Sequence, residues 1–300
     1  MDLVSHVTVL GGAGTRAAIV ERCGRAAVDR ALREGVLVRV ARGRYALSTA
    51  RSAVVAAATL GGVLSMRSAA QRHGWGQKQV PDKADVTFPR SRHVPRSARA
   101  IAVPHWSDIA PEDIEYGVTG VRRTLVDCMR MLPLDESVPI VNSALRSGDV
   151  TLAELHAIAA SMRGRGRARA IAVAAMATAK PVNPYESTLY AIASTVPGLD
   201  VRPQHPIRIS PALELHPDLA DPVLRIVIEA ESFEWHGKRA ALTRDCVRYN
   251  AFTTRGWLVV RFSWEQVILE PGYVLRVLED IVALARRHAN VARGSPSAAA

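Results

Sequence analysis

Leu224-Arg225-Ile226-Val227-Ile228-Glu229-Ala230 is β-branched and almost wholly apolar. That is the composition of a strand buried on both faces at the centre of a sheet. The run ends in acid. Glu229 and Glu231 stand two apart, so on a strand they share a face. Upstream, Asp221-Pro222 marks a turn. With its centre near Val223 and Leu224, Asp218 falls directly opposite Glu229. Three carboxylates then converge at the end of one sheet. Charges this close repel and are costly to bury unless a cation neutralises them. Oxygen ligands suit Mg²⁺ or Mn²⁺, and such an ion generates hydroxide and stabilises a phosphate transition state. Glu186, in the first turn of a helix, supplies a fourth oxygen. A plainer reading fits the same residues: Glu231 a solvated strand end, Asp218 a turn cap, Glu186 a helix-dipole partner.

Cations follow at once. Lys238, Arg239, Arg244 and Arg248 come after the acids, with Arg244 and Arg248 on one helical face. Cutting a polyanion needs this pairing, cations for the backbone and acids for the metal. Lys238, Arg244 and Arg248 are therefore read as nucleic-acid contacts. His236 is either a general acid/base or a hydrogen-bonded structural histidine.

Around this cluster the pattern predicts one mixed αβ domain over 181–288. A helix opens at Pro184. Strands follow at Gln204–Ile209, Leu213–Leu219 and the central run. Then come a helix at Arg239–Thr254, a strand at Trp257–Phe262 and a helix at Tyr273–Arg287. Residues 289–300 are Ser/Pro/Ala-rich and predict a disordered tail.

The other end of the chain has its own rhythm. Gly11–Gly14 reads as a loop, Arg16–Cys23 as a helix and Gly24 as a break. Arg25–Glu34 reads as a second helix with Val28, Ala31 and Leu32 inward. Val36–Val40 and Tyr45–Leu47 flank Ala41-Arg42-Gly43-Arg44 as strand, turn and strand. Helix, glycine turn, helix and basic hairpin predict a winged helix-turn-helix over 1–50. A recognition helix would offer Arg25, Arg30 and Arg33 to a duplex, with Arg16 nearby and Arg42 and Arg44 at the hairpin tip. The same arginines also suit the solvated face of a small packing unit.

Residues 51–180 predict a mixed region with less to say. Helices are expected at Val54–Leu64, Ser65–His73, Val121–Met131, Ser137–Arg146 and Thr151–Met162. Strands are expected at Asp85–Phe88 and Ile101–Val103, on either side of the basic loop Pro89–Arg99. His73, His93, His105 and His156 are scattered and read as structural. Arg163–Arg169 reads as a solvated linker or a phosphate contact.

Charge distribution separates these segments. The net charge is +11, and residues 1–100 hold 17 Lys and Arg against 6 Asp and Glu. The rest of the chain is nearly balanced. Codon bias would spread basicity evenly; a polyanion-binding module would not. Cys23, Cys128 and Cys246 are odd in number and far apart, which excludes a disulfide framework. No apolar run is long enough to span a bilayer, and the start lacks the pattern of a signal peptide. A cytoplasmic protein without membrane contact is expected.

Two resemblances sharpen this. Asn183–Ser187, Pro203-Gln204, His216–Pro222, Ile228–Gly237, Arg244-Asp245 and Gly256–Trp264 resemble the uncharacterised domain family related to very-short-patch-repair endonucleases, in the PD-(D/E)XK nuclease superfamily. The likeness covers about 183–285 and implies a restriction-endonuclease-like fold. It makes Asp218 and Glu229 metal ligands, Glu231 the third motif position and Glu186 the first-helix acid. That third position is often Asp in the family, and the superfamily's usual Lys two residues after the second acid is absent. Gly24–Leu47 and Arg123–Asp127 resemble the AbiEi-like antitoxin winged-helix proteins, more loosely, over about 10–150. That likeness implies DNA binding and a toxin-type protein partner. The expected function is Mg²⁺-dependent hydrolysis of double-stranded DNA. The competing expectation is a non-enzymatic antitoxin-like repressor with a degenerate nuclease fold, and a nuclease acting on RNA is a weaker third.

Overall fold

In the computed structural model the protein is described over residues 2–231 and 239–294. Helices and sheets are mixed throughout, as expected. No helix among the described residues is long and apolar enough to cross a membrane. The chain divides into two compact units. One joins Met1–Leu132 to Asp149–Ile171, the other Pro133–Gly148 to Ala172–Ala300.

The first unit opens with α1 (Leu3–Val9), capped by the Asp2 carboxylate on the Ser5 amide at 2.9 Å. β1 (Ala13–Thr15), expected as loop, pairs along the later strand at Arg44–Ala46. Thr15 caps α2 (Arg16–Cys23) through the Ala18 amide. Gly24 turns the chain into α3 (Arg25–Arg33) at φ 80° and ψ 156°, a conformation essentially closed to residues with a Cβ. β2 (Leu37–Ala41) and β3 (Arg44–Leu47) form the hairpin, and the sheet order is β1-β3-β2. Val7, Ile19, Val28, Leu37 and Leu47 close this small core. The helix-turn-helix and its wing are thus present as folded elements.

A second sheet follows in the same unit. α4 (Ser52–Leu60) ends at left-handed Gly61, so β4 (Val63–Leu64) is strand rather than the helix end expected there. α5 (Met66–Arg72), β5 (Ala84–Phe88), β6 (Ala102–Trp106), β7 (Ile114–Glu115), β8 (Val118–Thr119) and α6 (Val121–Met131) complete it. Strand order is β6-β5-β4-β8-β7. At its centre Asp85 is fully buried. It accepts from Arg67 Nε at 2.9 Å and His105 Nε2 at 2.8 Å. Those partners outweigh burial and hold its carboxyl below the usual range. His105 is structural, as read from the sequence.

α7 (Leu134–Ser147) belongs to the second unit although α8 (Leu152–Ser161) returns to the first. α9 (Arg167–Met176) takes the last three residues of the linker expected at Arg163–Arg169 and leaves 163–166 as the connection. α10 (Pro184–Ala193) packs on α7. Asn142 Nδ2 donates to Ser187 Oγ at 3.3 Å, and its Oδ1 accepts from the Thr178 amide at 2.9 Å. Asn183 caps α10 by accepting from the Glu186 amide at 2.9 Å. Asn183→Ala is expected to cost about 1 kcal/mol, the usual worth of such a cap, read as a lowered urea midpoint with unchanged slope.

The sheet of this unit comes next. β9 (Arg202–Pro203) leads to a separate two-stranded hairpin, β10 (Ile207–Ser210) and β11 (Leu213–Leu215). The single strand expected at Leu213–Leu219 is broken at His216-Pro217, where proline has no N–H for a ladder. β12 (Leu219–Asp221) and β13 (Ile226–Glu231) run antiparallel. α11 (Arg239–Thr253) crosses over to β14 (Leu258–Ser263), which lies parallel to β13. α12 (Trp264–Leu269) and α13 (Pro271–Gly294) close the fold, with helix continuing past Asn290, where the tail was expected. β13 is buried on both faces. Ile226 and Ile228 join Leu189, Phe262 and Leu278 on one side, and Val227 joins Phe252 on the other.

Candidate active site

The turn after Asp221 sets the site. Asp221 Oδ1 accepts from the amides of Val223 and Leu224, both at 2.9 Å, and fixes the hairpin centre. Leu219 then pairs with Ile228 and Ala220 with Val227. One residue further, Asp218 stands opposite Glu229, as the spacing predicts. The Asp218 amide donates to Glu229 Oε2 at 3.4 Å, and the Ala230 amide donates to Asp218 Oδ2 at 2.8 Å. Each acid therefore holds the other's strand.

Both carboxyls are driven toward the protonated form. Burial, then the Asp218 charge, pushes Glu229 up to about 8. Burial also raises Asp218, and the hydrogen bond from the Ala230 amide offsets part of that rise. The pair therefore shares a proton near neutral pH. Glu186 is raised as well, by burial and by Asp218. Its oxygens accept from the Val182 amide at 2.9 Å and Asn183 Nδ2 at 2.8 Å. Gln204 stands beside these groups: Nε2 donates to Asp218 Oδ1 at 3.4 Å, and the same side chain offsets part of the rise at Glu186.

Two expectations change here. Glu231 faces the α11 side like Glu229, but its carboxylate is engaged. Arg261 Nε donates to Oε1 at 2.8 Å and the Tyr249 hydroxyl donates to the same oxygen. Against the cost of burial, these partners hold Glu231 below the usual range. No group of three His, Cys, Asp or Glu with metal-ligand geometry occurs among the described residues. The three-acid convergence fails because strand alternation fixes a face, while neighbouring donors decide where a carboxylate points. Arg248, expected on a phosphate, is turned inward. It reaches Glu229 Oε1 through Nε at 3.2 Å and Nη2 at 3.0 Å, and Nη2 also meets the His216 carbonyl at 2.6 Å. Arg244, one turn earlier, is exposed. Lys238 and His236 lie outside the described residues.

No family model matches the chain. It is similar to two proteins of Mycobacterium tuberculosis, "Uncharacterized protein MT2308" (strain CDC 1551 / Oshkosh) and "Uncharacterized protein Rv2248" (strain ATCC 25618 / H37Rv). Each is 29% identical over 152 residues, which is 50% of this chain and 55% of the relative. The chain thus spans about half the length of these relatives. A crystal structure of RV2827C protein from the same organism aligns with a TM-score of 0.33 and 16% identity, covering 67% of this chain and 84% of that one.

The winged helix places its arginines unevenly. Arg25, Arg30, Arg33 and Arg42 are exposed. Arg16 is tied to Asp29 at 2.8 Å, which joins α2 to α3. Arg44 is half-buried against Gly61, behind the tip rather than at it. Sequence reading assigned no role to Gln204, Tyr249 or Arg261. Gln204-to-acid contact had one signal, its place in the Pro203-Gln204 motif. Tyr249 had none, because its contact depends on how α11 lies across the sheet.

Proposed function

We propose that the second unit hydrolyses DNA phosphodiesters with a divalent cation held by Asp218 and Glu229, and that the winged helix brings the duplex to it. The observation that carries this reading is the buried acid pair facing across β12 and β13, with Glu186 and Gln204 beside it. Its donor chemistry fits Mg²⁺ or Mn²⁺, which take hard oxygens and often only one or two carboxylates from the protein. Each acid has one oxygen firmly held, Asp218 Oδ2 by Ala230 and Glu229 Oε1 by Arg248. The other two, Asp218 Oδ1 and Glu229 Oε2, have only 3.4 Å contacts and are free to be ligands. When bound, the cation would supply a hydroxide nucleophile and charge stabilisation at the phosphate. Gln204 orients Asp218, Arg248 orients Glu229, and Glu186, raised by burial and by the Asp218 charge, is the third acid beside them.

The test is relaxation of supercoiled plasmid by the full chain in Mg²⁺, Mn²⁺ or EDTA. Nicking in either metal but not in EDTA is the expected result. Metal binding has its own readout. Mn²⁺ at 100 times its Kd should raise stability by about 2.7 kcal/mol. At one fixed Mn²⁺ concentration the gain should be larger at pH 8 than at pH 6, because the ion must displace the Glu229 proton. Asp218→Ala should erase it in a thermal-shift series.

A second reading has one observation in its favour. Arg248 covers Glu229, and Arg261 with Tyr249 covers Glu231, so the protein's own donors neutralise two of the three acids. That suits an antitoxin-like repressor with a degenerate nuclease fold and a toxin-type partner. Sequence-specific duplex binding by the full chain, without nicking in either metal, selects it.

A further inference from the structure

We propose that the duplex track on the first unit crosses from the wing to the basic loop at 89–99, with Arg44 and Arg92 as its joint. This rests on the winged-helix reading above. The observation lies at Gly61. A Cβ built there would meet Arg92 Nη2 at 3.1 Å and Arg44 Nη2 at 3.2 Å. Two guanidiniums, one from β3 and one from the loop between β5 and β6, therefore flank one point.

Their surroundings differ. Arg92 donates to the Leu60 carbonyl at 2.7 Å and the Gly61 carbonyl at 2.8 Å. A cation at a helix C-terminus satisfies orphan carbonyls in this way. Arg44 makes no ion pair or side-chain hydrogen bond among the described residues. A like charge beside it disfavours both, and an anion between them relieves the repulsion. The wing tip, Arg42, is two residues away and exposed.

The loop carries the track onward. Residues 89–99 hold Arg90, Arg92, Arg96 and Arg99 and no acid. Val94 packs on the core that Val54 and Leu60 share. Ala100 and Ile101 line a groove with Arg51 and Ser52 at the start of α4. The loop therefore runs the length of α4, from its last carbonyls back to its first turn. Arg96 and Arg99 lie in a 3₁₀ turn, Arg96–Ala100, and both are exposed. At three residues per turn they stand on one side. Nine helical residues cover about 13 Å. Over that length a duplex carries roughly eight phosphates. The row Arg42, Arg44, Arg92, Arg96 and Arg99 matches such a partner.

The experiment is fluorescence anisotropy of the full chain on a labelled duplex longer than two helical turns, titrated at several salt concentrations. Each lost phosphate contact flattens the log–log slope by about 0.9. Arg42→Gln should flatten it by about 0.9, and the double change Arg96→Gln with Arg99→Gln by up to about 1.8. Arg44→Gln and Arg92→Gln should each act like Arg42→Gln. Arg92→Gln also loses the α4 carbonyls, so the Arg96/Arg99 pair, which carries no internal side-chain bond among the described residues, decides the matter. An unchanged slope in that double variant, with Arg42→Gln still flattened, overturns the extended track and leaves the winged-helix reading standing. Wild-type binding without salt dependence overturns both.

Discussion

Asp218→Ala is expected to abolish divalent-dependent nicking while duplex affinity stays near wild type. A metal-held phosphate transition state gains several kcal/mol, and each 1.36 kcal/mol is tenfold, so the loss should be about 10³-fold or more. Affinity should hold because the acid serves the transition state rather than ground-state attraction for a polyanion. Glu229→Ala should match it. Glu231→Ala should be milder, since Arg261 and Tyr249 already occupy that carboxylate. The measurement is plasmid nicking beside anisotropy on the same preparations. Nicking by Asp218→Ala at the wild-type rate would place the chemistry elsewhere in the chain.

The second large effect needs no substrate. Glu229 holds its proton up to about 8 in the folded protein, against an ordinary value of 4.5. Between those values the native state binds more protons than the unfolded state, so stability falls as pH rises. The contribution is complete below about 4.5 and is lost through about 8. At 1.36 kcal/mol per unit, it is on the order of 5 kcal/mol. Asp218 and Glu186 are raised too and tilt the curve the same way. Asp85 is lowered, and its effect belongs to more acid solution. Glu229→Gln keeps an acceptor for Arg248 without the titration. Its urea midpoint should vary much less between pH 5 and 9 than that of the wild type. Parallel curves for the two proteins would show that Glu229 titrates like an exposed carboxylate.

The acid pair was legible because its geometry is local. A proline-marked turn and a central apolar strand fix which residues face each other, and Asp218 opposite Glu229 follows. The helices at Arg16–Cys23 and Val121–Met131 were legible to the residue, since caps, glycines and apolar spacing agree. Short edges were not. Ala13–Thr15 and Val63–Leu64 are strands only because a partner strand lies beside them. The destinations of Arg248, Glu231 and Arg44 were also hidden. Each depends on a group far along the chain, Glu229, Arg261 and Gly61 in turn, and long side chains choose among neighbours that only the folded chain assembles.

α7 has a consequence for the gene as well as the fold. The chain leaves the first unit before Pro133, returns at Asp149 and leaves again after Ile171. No single cut yields one unit free of the other. A fragment starting at residue 181 would keep every acid of the candidate site yet lack Asn142, whose amide meets Ser187 and Thr178. The buried side of α10 would then face water. The two units are therefore interleaved in the reading frame. Neither is a module that a fusion or a truncation can borrow intact.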